Sequence, residues 1–425
     1  MRVWLITVGE PLPTDTGNQR LLRTGLLARM LTARGHDVVW WSSNFIHMLK
    51  SFRSSGETEV LADPKQRIIL LHGGGYRRNI SWDRVKDHAM LAERFEARSR
   101  TELVPDIIVA SLPTIELALS AVEFGKRHGV PVVVDIRDLW PDAMVDLLPK
   151  IARPLGALLT SRLRAKVRAT CAGAAAITGH AESFVDWGVR HAGRLVTSSD
   201  RVFPHGYPVN EIEANERSQA TASLRERGVD LSAGRFTAVY VGTIGNQPEI
   251  DPVIDAAHRL RLDPRFQFVI AGEGSRLEHY RMAARGLSNT ALPGWLNRAE
   301  IRVLLDHATA GLVPYPHRGD WLTALPNKFA EYLSASVPLL VSLTTGKMLE
   351  FAEANGCGLG YGHSGERLAN RLVELAESPE RLSSLRHAAK RAFETHFKAD
   401  VVYGGMVDYL ERLVASRATV QRRTS

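Results

Sequence analysis

The sequence predicts an α/β protein of two doubly wound parallel-sheet domains facing across a cleft. Three observations carry this: a strand, loop, helix, strand unit in residues 2 to 41, a second alternation of the same kind starting at Phe236, and a length of 425 residues. At roughly 150 to 200 residues per domain that length corresponds to two or three domains. The repeated alternation selects two. Parallel strands need crossover helices, and ligands of such sheets collect beyond the carboxyl ends of the strands.

Taken in order, residues 2 to 7 are an apolar strand, followed by a turn-rich loop with Pro11, Pro13, Asp15 and Gly17. Leu22, Leu26, Leu27, Met30 and Leu31 keep a helical period that ends at Gly35, and residues 38 to 41 are the next strand. No GxGxxG occurs here, so nothing specifies a dinucleotide. Strands return at residues 106 to 110 and 132 to 135 around an apolar helix at 115 to 127, and short strands near 175 to 178 and 201 to 203 close the domain. The first domain is therefore 1–208, ending in the turn PHGYP, and the polar stretch 209–235 reads as a linker. The second domain, 236–398, has strands at 236 to 241, 266 to 271, 290 to 292, 311 to 314 and 338 to 342 with helices between them. Closing helices at 366 to 396 and 400 to 417 follow, the latter within a C-terminal helix and tail, 399–425.

Two cysteines, Cys171 and Cys357, lie far apart without metal-ligand spacing, which argues against a disulfide framework or a Cys-rich zinc site. The opening strand starts too early for a signal peptide and no run reaches 18 apolar residues, so a reducing cytoplasm is the expected setting. A net charge of +8 and a pI near 9.6 point to anionic partners. Nucleic acid is disfavoured, because zinc-finger spacing, RNP-type aromatics and a long basic arm are all lacking.

Four stretches carry chemistry. In LTALPNKFAEYLSASVPLL, residues 322 to 340, Leu325, Phe329, Tyr332 and Leu333 mark one helical face, and Pro326 suits a first turn. Asn327, Lys328 and Glu331 then stand near a helix N-terminus, a seat for a phosphorylated ligand; a solvated Lys–Glu pair is the alternative. The second is DIRDLWPD, residues 135 to 142, which sets Asp135, Arg137 and Asp138 at the end of a strand. The loops 45 to 56 and 72 to 84 mix aromatics with His47, Lys50, Arg53, Tyr76, Arg77, Asn79 and Arg84, as acceptor-binding loops do and as plain connections also do. Residues 150 to 168 carry six basic groups among leucines, the pattern of a helix on an anionic membrane and equally of one packed on a sheet.

Together these pieces resemble the retaining glycosyltransferases of family 4 (group 1), with the GT-B fold of two Rossmann-like domains, over nearly the whole chain. The resemblance rests on GNQRLLRTGLLARMLTARGHDVVWWSS, PDIIVAS, ITGHAESFVDWG with VFPHGYP, YVGTIGNQPEIDPVIDAA, FVIAGEGSRLEHY and SVPLLVS. NFIH, GYRRNISWDR, DIRDLWPD and LPNKFAEYLSAS are similar to the bacterial surface-polysaccharide subgroup that includes N-acetylfucosamine transferases.

The resemblance implies transfer of a sugar, an acetamido sugar in the subgroup, from a nucleotide diphosphate to an acceptor hydroxyl with retention. UDP is the expected nucleotide, and a lipid-linked oligosaccharide at the inner face of the membrane the expected acceptor. It implies that Glu331 binds the donor's ribose, while the first Glu of the family's pair falls on Thr323, and the family's phosphate-binding Arg and Lys fall on Thr243 and Pro248. Lys328 with Arg318 and the N–H groups of Gly242 and Thr243 would then neutralise the leaving diphosphate. Gly17 would let the first-domain loop approach it, and Gly272, Glu273, Gly274 and Gly294 would line the base and ribose pocket. Asp138 is the expected catalytic group toward the acceptor, with His47, Tyr76, Arg77, Asn79 and Arg137 binding that acceptor. No Asp-x-Asp triplet occurs, so no obligatory metal is expected. A transferase acting on a soluble small molecule, a nucleotide-sugar 2-epimerase using His72, His180 or His205, and a non-catalytic nucleotide-sugar sensor remain the alternatives.

Overall fold

The computed structural model describes residues 1–16, 20–79, 81–146, 148–209, 211–232, 234–323 and 325–424. The chain divides into two compact units, Met1–Pro204 with Val402–Ser425, and His205–Val401.

The first unit holds β1 (Arg2–Ile6), β2 (Asp37–Ser43), β3 (Phe45–Ile46), β4 (Ser51–Phe52), β5 (Thr58–Asp63), β6 (Gln66–Leu71), β7 (Ile107–Leu112), β8 (Val132–Ile136), β9 (Ala176–Gly179) and β10 (Arg201–Val202). Its main sheet runs β10-β9-β8-β7-β1-β2-β6-β5, and β3 and β4 form a separate antiparallel ribbon. Neighbours in the main sheet are parallel except β5 on β6, a hairpin edge that periodicity did not announce. Every residue of β7 is buried, as in a sheet covered on both faces. Trp4 packs on Trp41 and Phe124 with ring centroids 5.0 and 4.8 Å apart, so one face of the core is aromatic. Strand order reverses between β1 and β7, where the hydroxyl of Thr7, just past β1, meets that of Ser111 near the end of β7 at 2.5 Å.

The closing helix Ala399–Thr424 supplies this unit with buried Met406, Val407 and Leu410. Tyr409 donates its hydroxyl to the Ser199 carbonyl at 2.6 Å, and His36 meets Glu411 at 2.8 Å.

The second unit is a six-stranded parallel sheet of β11 (Phe236–Val241), β12 (Phe266–Ala271), β13 (Thr290–Gly294), β14 (Ala310–Val313), β15 (Leu339–Val341) and β16 (Gly358–Gly360). The order β13-β12-β11-β14-β15-β16 reverses between β11 and β14, which makes a crevice beyond those two ends the natural ligand position. Residues read as linker include the helix Ala214–Glu226, whose Ala220 and Leu224 enter this unit's core. Its mostly polar sequence hides that role, because two apolar contacts suffice to dock it.

The stretch 150 to 168 is a short helical turn Lys150–Ala152, then helices Arg153–Leu159 and Ser161–Gly173, broken at Thr160. In the later helix Val167 and Cys171 enter the first unit's core and Leu163 packs against it. Ile151 is 92% exposed, and Leu155, Leu158 and Leu159 are also open. The sheet-packed reading thus holds for the later helix, while the earlier half leaves its apolar residues exposed. Among the described residues no helix is long and apolar enough to cross a membrane.

Candidate functional site

At the switch point of the second unit the helix expected around Pro326 is Asn327–Ser334, and a further short helix, Gly319–Thr323, precedes it. Pro326 caps the second, and its carbonyl accepts from the Phe329 N–H at 2.9 Å. Phe329, Tyr332 and Leu333 are buried, as their spacing predicts, and the Tyr332 hydroxyl accepts from the Val241 N–H at 2.9 Å. That bond ties the helix to the end of β11.

Lys328 is not a solvated partner of Glu331. It is only 8% exposed, and its Nζ stands 3.9 Å from the Tyr240 ring centre and 4.9 Å from that of Tyr315. Among the described residues no carboxylate lies within ion-pair distance of it. Burial drives its ammonium down to about 7, against the opposing pull of Glu331. An ammonium held over aromatic faces and lacking a counter-ion is an anion-binding group in waiting. Tyr315 is itself stacked on Trp321 at 3.9 Å. Tyr240 and Tyr315 escaped the sequence reading because each looks like an ordinary apolar residue at the end of a strand.

Three glycines shape the floor. A side chain on Gly242 would come 2.9 Å from Lys328 Nζ, one on Gly272 would lie 1.8 Å from the Gly242 carbonyl, and one on Gly274 would lie 2.2 Å from the Ile244 carbonyl. The loops after β11 and β12 therefore touch backbone to backbone. The Gly242 N–H donates to Ala271 and the Gly272 N–H to Gly294, at 3.0 and 2.8 Å. This corrects the expectation that the Gly242 amide would meet a phosphate: its contribution is space for the lysine. Thr243 is exposed and its carbonyl accepts from the Tyr240 hydroxyl at 2.9 Å. Glu273 and Asn327 are exposed, Arg318 is exposed on the turn after Tyr315, and Gly294 takes the left-handed φ of 78°. Glu331 is half-buried, with one carboxylate oxygen accepting from the Tyr207 hydroxyl at 3.2 Å.

In the first unit, His47, Tyr76 and Asn79 come together as expected of a site. His47 Nδ1 meets the Tyr76 hydroxyl at 2.6 Å, and Lys50 donates to the Asn79 side chain at 2.6 Å while lying 4.7 Å from the Tyr76 ring centre. Arg84 joins them, 5.3 Å from the same ring and 4.3 Å from that of Trp140. Arg77 is exposed and outside this group. Asp138 is exposed and accepts from the Leu139 N–H at 2.8 Å; desolvation raises its carboxyl, offset in part by hydrogen bonds from Leu139 and Trp140 and by Arg84. Gly17 lies outside the described residues.

Arg137 is committed elsewhere. It pairs with Asp135 and, at 2.8 Å, with Glu10, and donates to the Thr24 hydroxyl at 3.1 Å. Arg23 donates to both carboxylate oxygens of Asp135 at 2.9 and 3.0 Å, sharing Oδ2 with Arg137, and Thr178 donates at 2.8 Å. Burial alone would raise the Asp135 carboxyl, but Arg137 and Arg23 outweigh it and hold it far below the carboxylate range. The sequence expectation of an acceptor-binding Arg137 is corrected accordingly: DIRD supplies a buried strut. Of the histidines, His72 meets Asn44 at 2.8 Å, His180 packs on Phe184 with ring centres 3.9 Å apart, and His205 belongs to the second unit. Among the described residues no three His, Cys, Asp or Glu side chains gather as a metal site.

Residues 235–378 match the family described as glycosyl transferases group 1. No curated protein matches the chain. Sucrose-phosphate synthase from Thermosynechococcus elongatus is similar in structure with a TM-score of 0.70 and 15% identity, over 98% of this chain and 99% of that one. Anabaena HepE in complex with UDP gives 0.63 and 12%, over 97% and 99%. WaaG, a glycosyltransferase involved in lipopolysaccharide biosynthesis, gives 0.56 and 15%, over 95% and 98%. With its two reversing parallel sheets, this chain therefore has the two-domain GT-B glycosyltransferase fold, and the second unit carries the match to glycosyl transferases group 1.

Proposed function

We propose that the protein is a retaining glycosyltransferase that moves a sugar, an acetamido sugar by the subgroup resemblance, from UDP to a hydroxyl of a lipid-linked oligosaccharide. The observation that carries the reading is Lys328, buried over two tyrosines at the switch point of the second sheet with no carboxylate among the described residues within ion-pair distance. Breaking the bond between the anomeric carbon and the β-phosphate oxygen leaves the electron pair on the diphosphate. A preformed ammonium in a site poor in water stabilises that charge most where it develops. The acceptor oxygen forms the new bond to the anomeric carbon, and its proton passes to a phosphate oxygen of the departing group. Arg318 and the N-terminal turn of Asn327–Ser334 add to the positive field, and Glu331, oriented by Tyr207, takes the ribose hydroxyls.

Asp138 orients the acceptor hydroxyl or stabilises positive charge at the anomeric carbon. Ile151, Leu155, Leu158 and Leu159, flanked by Lys150, Arg153 and Arg162, form an apolar and basic surface by which the protein rests on an anionic membrane and reaches a lipid-borne acceptor at its inner face. UDP is supported by the complex of HepE with UDP, and lipid-linked glycans by the involvement of WaaG in lipopolysaccharide biosynthesis.

The test is to screen UDP, GDP and dTDP with their sugars for an increase in melting midpoint, then to measure release of nucleotide diphosphate with prenyl-diphosphate-linked sugars on anionic vesicles. One nucleotide at a hundredfold excess over its Kd stabilises the folded state by about 2.7 kcal/mol. Glu331→Ala is expected to remove most of that shift, and Ile151→Ser with Leu155→Ser to reduce vesicle binding while leaving nucleotide binding intact. If no nucleotide raises the midpoint, or none is released with any such acceptor, the reading fails.

A further inference from the structure

The first unit holds a second pair of cations that the donor chemistry does not use. Lys50 and Arg84 both approach the Tyr76 ring, at 4.7 and 5.3 Å, and among the described residues neither has a carboxylate within ion-pair distance. Their polar partners are neutral: Lys50 donates to the Asn79 side chain and lies 3.4 Å from His47 Nδ1, while Arg84 donates to the Asn79 carbonyl at 3.0 Å and to His88 at 3.4 Å. Two acids, Asp87 and Asp138, act on Arg84 through space without reaching ion-pair distance. Asp87 is buried and accepts from the Gly75 N–H at 2.8 Å, and Asp138 accepts from Leu139.

Lys50 moreover holds the left-handed φ of 53°, an uncommon conformation for a residue with a side chain and a frequent mark of a constrained functional position. Burial lowers the affinity of His47, Lys50 and Arg84 for protons, and the two cations depress His47 further. Such a group gains charge-assisted hydrogen bonds when an anion arrives. Beside Lys50 in the chain, Met48 and Leu49 are exposed on the turn, so apolar surface adjoins the positive charge.

We infer that Lys50 and Arg84, with His47 and Tyr76, seat the phosphate or diphosphate of the acceptor, the prenyl chain lying toward Met48 and Leu49. The inference rests on the reading of the first unit as the acceptor half. It adds what recognises the acceptor: a charged phosphate group as well as a sugar hydroxyl.

Farnesyl diphosphate, farnesol and inorganic pyrophosphate are titrated calorimetrically into the full chain saturated with UDP. Wild type is compared with Lys50→Asn, which tolerates the left-handed backbone, with Arg84→Gln, whose backbone N–H keeps its bond to Ser81, and with the exposed Arg127→Gln. Farnesyl diphosphate is expected to bind at least tenfold more weakly to each of the first two variants and equally to the third. Pyrophosphate showing the same pattern means the anion alone suffices; farnesyl diphosphate alone showing it means the lipid is also read. Equal binding of farnesol, no loss in either folded variant, or no binding to wild type overturns the inference. The UDP titration done beforehand reports separately on the donor reading; if UDP does not bind, the same comparison without it still decides this one.

Discussion

Lys328→Met is expected to lower the transferase kcat/KM by about 100- to 1,000-fold, roughly 3 to 4 kcal/mol of transition-state stabilisation. The same variant should unfold at an equal or higher midpoint near neutral pH, because an apolar side chain of similar length replaces a buried amine with no carboxylate among the described residues within ion-pair distance. The pH dependence fixes the sign. Folded Lys328 gains its proton only below about 7, while the unfolded chain holds it to about 10.5. Between those values the unfolded state binds one more proton, so wild-type stability rises with pH across that window, and in Lys328→Met this component is absent. Diphosphate binding favours the ammonium, so nucleotide affinity should weaken as pH rises above 7. Melting curves from pH 6 to 10, with and without UDP, check each part. Transfer within tenfold of wild type would remove Lys328 from the leaving-group site.

Arg23→Leu is expected to destabilise the first unit by about 3 to 5 kcal/mol, since it strands a fully buried carboxylate beside one remaining arginine. Calorimetry should show the first unit's transition moving down while the transition sensitive to UDP stays in place. The double change Arg23→Leu with Asp135→Asn should recover much of the loss, as removing both charges costs less than removing one. Asp135 is depressed below its unfolded value, so the stability it contributes is present above pH 4 and declines as pH falls below that. A variant as stable as wild type would mean that water, rather than Arg23, satisfies Asp135.

Much of the architecture was legible in the chain. Continuous apolar runs such as those of β7 and β11 announce strands covered on both faces, and the period of Leu26, Leu27 and Leu31 announces the helix after β1. The hairpin of β5 was missed because its residues are mostly exposed and alternate weakly. Lys328 was singled out from its place near a helix start, and His47, Tyr76 and Asn79 from a loop dense in polar and aromatic groups. The same reasoning misassigned Arg137, since an arginine after a strand looks alike whether it meets a substrate or a buried carboxylate.

By itself, then, the sequence determined the strand and helix repeat and the residue types available at the strand ends, because periodicity and turn chemistry are local. Only the tertiary structure decided that Lys328 lies near the rings of Tyr240 and Tyr315, that the Gly242 amide is already bonded, and that Arg137 is ion-paired while, among the described residues, no carboxylate lies within ion-pair distance of Lys50 or Arg84. Burial and pairing of a charge depend on residues distant in the chain, 88 positions in the case of Tyr240 and Lys328, and no local pattern encodes them.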